Sequence, residues 1–199
     1  VYRPYLVRNG EQEGLSFVNP DMTGGVDFSA GGFDALHGDK LSSVLNIEYR
    51  KPRPFEAGVG ASFTGASAFV GSSNEKYSQL HGFRYKNAAF ILGTLQTQAE
   101  YNPNFFDYQT YITYKPHTDV ELSFLGNISQ NTYSFIPETR STTFGSLNDI
   151  QNFTIYFDGQ EKDVFRTFFG ALSAKYQVND KLNLGLTVSS FYTDERVNY

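Results

Sequence analysis

Along most of the chain, hydrophobic and polar residues alternate one by one. Val120, Leu122, Phe124 and Ile128 alternate with Glu121, Ser123 and Asn127. Leu182, Leu184, Leu186 and Val188 alternate with Asn183, Gly185, Thr187 and Ser189. Tyr108, Ile112 and Tyr114 oppose Asp107, Gln109 and Thr113, and Phe168, Leu172 and Tyr176 share a face with the small residues Gly170 and Ala174. A period of two turns successive side chains to opposite faces of a β-strand. The pattern predicts strands over 55–63, 66–71, 78–92, 104–115, 119–130, 164–177 and 181–192. Two architectures use strands that are apolar on one face and polar or small on the other. One is a membrane β-barrel with lipid outside and water inside. The other is a soluble β-sandwich with the apolar face turned to a core.

The first fifty residues differ. Val1–Asp39 is dense in turn formers: Arg8-Asn9-Gly10, Asn19-Pro20-Asp21, Gly24-Gly25, Gly31-Gly32 and His37-Gly38-Asp39. No useful length of it shows a clear period. Ser42–Tyr49 reads as a strand, with Val44 on one face and Leu45, Ile47 and Tyr49 on the other. Arg50-Lys51-Pro52-Arg53-Pro54 then ends it, because two prolines so close cannot continue a ladder. This divides the chain into 1–53 and 54–199.

The connections favour the barrel. Lys115–Asp119, Gln177–Lys181 and Gly71–Lys76 are tight and polar, whereas Gln130 to Asp163 is long. Short turns at one end and long loops at the other characterise outer-membrane barrels. Tyr114, Tyr176, Tyr192 and Phe165, near strand ends, suit interfacial aromatic girdles. Seven strands, however, do not close a bacterial barrel, whose strand number is even. An open sheet in lipid would strand its edge N–H and C=O groups. The barrel reading therefore expects a longer polypeptide, of which Val1-Tyr2-Arg3 opens mid-segment.

Composition narrows the chemistry. Of 199 residues, 19% are charged, against roughly 25% in a typical soluble domain. The 14 Tyr, 19 Phe and 18 Gly suit strands and turns. A net charge of −5 speaks against a polyanion-binding surface, so no nucleic-acid partner is expected. The absence of Cys excludes disulfides, thiolate metal sites and Cys nucleophiles. Mean hydropathy is −0.39, no apolar run reaches the length of a membrane-spanning helix, and no signal-peptide pattern opens the sequence.

Catalytic motifs are not found. His37, His81 and His117 are isolated, with no carboxylate at ligand spacing, so no metal site is expected. No G-x-S-x-G occurs, and Gly24-Gly25 and Gly58-Val59-Gly60 lack the Lys-Ser/Thr of a phosphate loop. Asp158–Asp163 is acidic but lacks the calcium-loop ligand order. Arg50, Lys51 and Arg53 read as a hydrated linker facing acidic groups. The best binding candidate is the 131–163 loop, where Tyr133, Phe135, Arg140, Phe144, Asn148, Asp149, Tyr156 and Asp158 mix rings, amides and charges. Such groups suit glycan, chelate or peptide ligands, although for any single aromatic among them packing of the loop on its neighbours is the commoner role. Arg3, Arg8, Glu11, Gln12 and Glu13 form a second, charged turn.

Three stretches carry a resemblance: Glu13–Asp21, Phe28–Phe33 and Gly38–Ile47. They are similar to plug segments of TonB-dependent outer-membrane receptors. In that family a Gly-rich segment and a strand end the plug, and a short linker leads into barrel strand one. The same order occurs here, with Ser42-Ser43-Val44-Leu45-Asn46 in place of the usual Gly-Gly-Val-Ile-Asn-like run. The resemblance implies an all-β fold: the end of a plug over 1–53, then about seven strands of a transmembrane antiparallel barrel of roughly 22. It places the connections at 71–77, 115–119 and 177–181 on the periplasmic side and the loops at 93–103 and 130–163 outside. It further implies a multi-pass outer-membrane protein that transports rather than catalyses and needs no cofactor. The partners would be the TonB energy-transducing system, outer-membrane lipid and a small-molecule, glycan or peptide ligand, with a surface lipoprotein or other outer-membrane subunits as further candidates. The plug-turn candidates Arg8, Glu11, Gln12 and Glu13 would then face substrate. Two other functions stay open on sequence: an accessory barrel of a larger outer-membrane assembly, and a soluble β-sandwich glycan-binding module.

Overall fold

The computed structural model describes residues 8–9, 12–13, 16–33, 37–38, 42–87, 89, 99–137, 139–146, 149–156 and 159–198. Among these the elements are all β-strands apart from a 3-10 turn at Pro20–Met22. The strands are β1 (Arg8–Asn9), β2 (Gln12–Glu13), β3 (Thr23–Ala30), β4 (Ser43–Tyr49), β5 (Phe55–Ser62), β6 (Gly65–Ser73) and β7 (Tyr77–Asn87). There follow β8 (Ala99–Tyr101), β9 (Asn104–His117), β10 (Val120–Pro137), β11 (Arg140–Ser146), β12 (Asp149–Ile155), β13 (Glu161–Asn179) and β14 (Leu182–Asn198).

One antiparallel sheet dominates, in the order β14-β13-β10-β9-β7-β6-β5, with β8 pairing alongside β10. β1–β2, β3–β4 and β11–β12 are separate two-stranded ladders. All seven expected strands of the sheet are present. Several run longer than alternation suggests: β10 extends to Pro137 and β13 begins at Glu161. The expected 78–92 strand ends at Asn87, and most of 88–98 lies outside the described residues. The turns at Asn74–Lys76, Thr118–Asp119 and Asp180–Lys181 lie at one end of the sheet. The connections 88–103 and 138–160 lie at the other, as does the tight Phe63–Thr64 turn.

Residues opposite one another in an antiparallel ladder project to the same face. One row across the sheet is Ser67, Arg84, Asp107, Ser129, Thr167 and Thr193. The next row, one residue along, is Val59, Ala68, Phe83, Tyr108, Ile128, Phe168 and Tyr192, on the opposite face. The polar row is covered: Asp107 is fully buried, and Arg84, Ser129 and Thr167 nearly so. The apolar row is bare, with Ile128 47% and Tyr192 62% exposed. Leu122, Phe124, Leu172, Leu184, Leu186 and Val188 extend that bare apolar face. Its far border is polar, where Gln130, Arg166 and Asp194 align and Arg166 Nε donates to Gln130 Oε1 at 3.1 Å. Tyr114, Tyr176 and Tyr192 lie on the bare face. Phe165 does not. It pairs with Asn131 and so faces the covered side, one residue out of phase with a girdle position.

The N-terminal segment differs from its sequence reading. The turn-rich stretch contains the strand β3, which pairs with β4 through a register shift at Thr23/Gly25. Glycines and exposed apolar residues hide its period: Val26 and Phe28 are half or more exposed. Leu45 is also exposed, while Ile47 and Tyr49 on the same face are half-buried.

Candidate functional site

The covered face is where residues from distant parts of the chain converge. Asn19 builds the turn that opens it. Its Oδ1 accepts from the Asp21 N–H at 3.1 Å, its carbonyl accepts from Thr23 Oγ1 at 2.7 Å, and Pro20 supplies a preset φ at the first turn position. The turn buries Asn19 and Met22 completely. They lie against Gly82 of β7, where a Cβ would come within 2.5 Å of Asn19 Nδ2 and 2.7 Å of Met22 Sδ. Only glycine permits that approach.

Ahead of the turn, Phe17 is buried against Phe105, Leu125 and Phe169. Its ring meets that of Phe169 edge-on at 5.5 Å. Its backbone is held by polar side chains of the sheet. Arg84 Nη1 donates to Val18 O at 2.9 Å, Arg84 Nη2 to Ser16 O at 3.1 Å, and Gln109 Nε2 to Phe17 O at 3.2 Å. Arg84 is itself fixed by a bidentate pair to Asp107, Nε–Oδ1 2.8 Å and Nη2–Oδ2 2.6 Å. The planar guanidinium fork makes this geometry possible, since it can serve a carboxylate and two carbonyls at once. Such a pair, buried on both sides, holds only while intact: loss of one partner costs about 3–5 kcal/mol.

Arg50 closes the site from below. Its Nε donates to Asp21 O at 2.7 Å, its Nη1 pairs with Glu56, and its guanidinium lies 4.7 Å from the Phe69 ring centre. The expected partnership of the basic linker with an acidic group is thus present at Arg50. Tyr49 stacks on Tyr111 at 4.8 Å. Burial pushes the Tyr49 phenol above its ordinary pKa, against the nearby Arg84 charge, which pulls it down. Two clefts flank these contacts. One of about 480 Å³ lies between Ser16–Asp21 and the ends of β5, β6 and β7. The other, of about 400 Å³, lies between Ile47 and Tyr49 of β4 and the covered face of β10, β13 and β14.

The residues expected to bind ligand are elsewhere. The 130–163 stretch is not a plain loop: β11 and β12 form a hairpin within it that pairs only with itself. Phe144 lies on that hairpin, opposite Gln151, and is exposed, as is Tyr156 just beyond it. Phe153, which sequence reasoning missed, is exposed on the same face as Phe144. Arg140 lies opposite Ile155 and Asp149 opposite Ser146. Tyr133 and Phe135 belong to β10, opposite Asp163 and Glu161. Asn148 and Asp158 lie outside the described residues. Among the described residues, none of these candidates lines either cleft. In the N-terminal turn, Arg8 pairs with Glu13 and Asn9 with Gln12, while Glu11 lies outside the described residues. His117 is exposed and lies 3.2 Å from Asp119 Oδ2, and His81 shares a 2.8 Å hydrogen bond with the Tyr108 hydroxyl.

Comparison of the chain with protein-family models, with curated proteins and with solved structures finds no match. Function must therefore be argued from geometry. What sequence reasoning missed is the cluster of Arg84, Asp107, Gln109 and Asn127, the last donating from Nδ2 to Asp107 Oδ2 at 3.4 Å. Alternation assigned Asp107, Gln109 and Asn127 to a polar face, but nothing local signals that a segment 66 or more positions away docks there.

Proposed function

We propose that this chain forms part of a TonB-dependent outer-membrane transporter, comprising the end of its plug and the first strands of its barrel. One observation carries the reading: the sheet is inverted relative to a soluble one. Its polar face is buried over β7, β9, β10 and Thr167 of β13, where the N-terminal segment lies, and exposed on β14, while its apolar face carries exposed large side chains on all seven strands. A soluble sheet gains stability by burying Leu, Ile and Phe. Exposed apolar patches of this extent mark an interface with another apolar phase. Lipid fits the dimensions. Phe168 to Tyr176 is eight residue steps, roughly 27 Å along the strand. Allowing for strand tilt this is roughly 20 Å, of the order of the apolar band of an outer-membrane barrel.

Two further features support the reading. Three tight turns share one end of the sheet, and the longer connections share the other. The linker at 50–54 enters the sheet at the tight-turn end, where Pro54 O accepts from Ser73 N–H at 3.3 Å. In this reading the covered face lines the lumen, residues 16–22 and 47–50 pack in it, and transport requires the 16–22 segment to move. Ligand would be captured at the long-connection end, where the β11–β12 hairpin presents its aromatics. Energy would come from TonB, and no bond would be made or broken in the ligand.

The test is the native polypeptide carrying this sequence, extracted with detergent from outer membranes. We expect a chain several times longer than 199 residues, in the membrane fraction, whose ligand uptake stops when TonB is deleted. A native chain of about this length in the soluble fraction would refute the transporter and favour a β-sandwich.

A further inference from the structure

We propose that Arg84 acts as a release latch for the 16–22 segment, a positioning residue that holds the segment yet lets it leave without stranding a charge. Both charges of the buried pair belong to the sheet: Arg84 lies on β7 and Asp107 on the adjacent β9. The segment contributes only the backbone carbonyls of Ser16 and Val18 to this pair. Had the segment supplied one of the charges, undocking would leave the other buried and unpaired, which is the costly event for a buried ion pair. Here undocking separates no charges. Nε and Nη2 of Arg84 remain on Asp107, and water can replace the two lost carbonyl contacts.

The neighbouring contacts fit the same purpose. Gln109 also grips a backbone carbonyl, that of Phe17. Gly82 presents no side chain to the Asn19–Met22 turn, so Asn19 and Met22 pack closely on its backbone and, like the buried Phe17 ring, hold the segment by shape and not by charge. The lower attachment is of another kind: Arg50 pairs with Glu56 across the boundary and holds Asp21 O. The latch thus governs the Ser16–Val18 end of the segment, while Asp21, Met22 and β4 stay anchored by Arg50 and by the Tyr49–Tyr111 stack. The purpose of the latch rests on the barrel reading given above, but its test does not.

The sequence contains no Cys, so a Val18→Cys thiol reports on the segment without background from these residues. Maleimide labelling of the folded full-length chain would be timed in three backgrounds. The first is otherwise unchanged. The second is Arg84→Lys, which keeps the charge beside Asp107 but cannot span a carboxylate and two carbonyls. The third is Arg84→Met with Asp107→Leu, which removes both charges together. A Ser78→Cys thiol, buried lower on β7, serves as the second reporter. We expect labelling at position 18 to accelerate about tenfold or more in both altered backgrounds, equivalent to ~1.4 kcal/mol in the opening equilibrium. Labelling at position 78 should not change. Should the double variant fail to fold, Arg84→Lys decides alone. Unchanged labelling at position 18 overturns the latch. Equal acceleration at both positions also overturns it, because the pair would then merely support the sheet. Selective acceleration in a soluble native chain would keep the latch and remove the barrel, and no acceleration in a membrane-embedded chain would do the reverse.

Discussion

Leu172 and Ser173 are neighbours on β13 that face opposite ways, so replacing each with arginine asks what medium lies on either side. Leu172 is 63% exposed, flanked on its face by Phe124 and Val188 about midway along β13. If that face met water, Leu172→Arg would be an ordinary surface change, worth within about 0.5 kcal/mol. If it meets lipid near the midplane, the cost is about 2–4 kcal/mol. That is roughly thirty- to a thousandfold in the folding equilibrium. Ser173 Oγ lies 3.0 Å from Thr187 Oγ1 and borders the 400 Å³ cleft on the covered face. A long, solvated side chain has room there, and Ser173→Arg should cost under about 1 kcal/mol. The assay is urea-dependent folding of the full-length chain into lipid vesicles, followed by its electrophoretic shift on heating. A Leu172→Arg shift below 0.5 kcal/mol, or one equal to that of Ser173→Arg, refutes the inside–outside assignment.

Further perturbations test the covered face. Phe17→Ala should remove about 3–5 kcal/mol of packing, appearing as protease sensitivity of the N-terminal segment with the sheet intact; loss of the sheet would contradict this division. Gly82→Ala should displace the Asn19–Met22 turn at a cost of about 1–3 kcal/mol, and a variant as stable as the parent would show that the contact is loose. Tyr49 binds its proton more tightly when docked, so docking of β4 is fully present below pH about 10, the ordinary tyrosine value, and weakens as pH rises beyond it. A tyrosinate absorbance titration should lose a component that titrates above the ordinary tyrosine value in the Tyr49→Phe variant. Excising 140–155 should leave the sheet folded, because that hairpin pairs only with itself, and should abolish ligand uptake. Retained uptake would move the binding site elsewhere.

Strand positions in the main sheet were legible because alternation is a local signal set by side-chain direction. The seven segments read from the sequence all recur; β10 runs on past Gln130 to Pro137, β14 past Tyr192 to Asn198, and β13 starts earlier at Glu161, where the regular apolar phase is interrupted by polar residues. β3 was not legible: Gly24, Gly25 and exposed Phe28 give no alternating burial, and its partner β4 lies across a turn-rich gap. Phe165 was read by its neighbourhood rather than its phase, and a single residue decides the face. The polar cluster was half legible. Asp107, Gln109 and Asn127 fall on the polar face by counting, but Arg84's hold on Ser16 and Val18 depends on tertiary docking that no window of sequence contains. The expected binding residues were chosen by chemical type, and type does not report that β11 and β12 carry several of them onto a separate hairpin.

The order of strands in the main sheet has a consequence for how it is assembled. Apart from the short β8, which pairs with β10, each strand of the order from β5 to β14 pairs with the one before it in that order, so most contacts are made between parts of the chain synthesised close in succession. Loop-closure cost grows slowly with length and is smallest for such neighbours. Each hairpin can therefore dock on an already formed edge, with the tight turns setting its register. Among the described residues β5 and β14 each have one neighbour, which leaves two templates for strand addition. An arrest in synthesis would then leave a correctly registered sheet with a reactive edge.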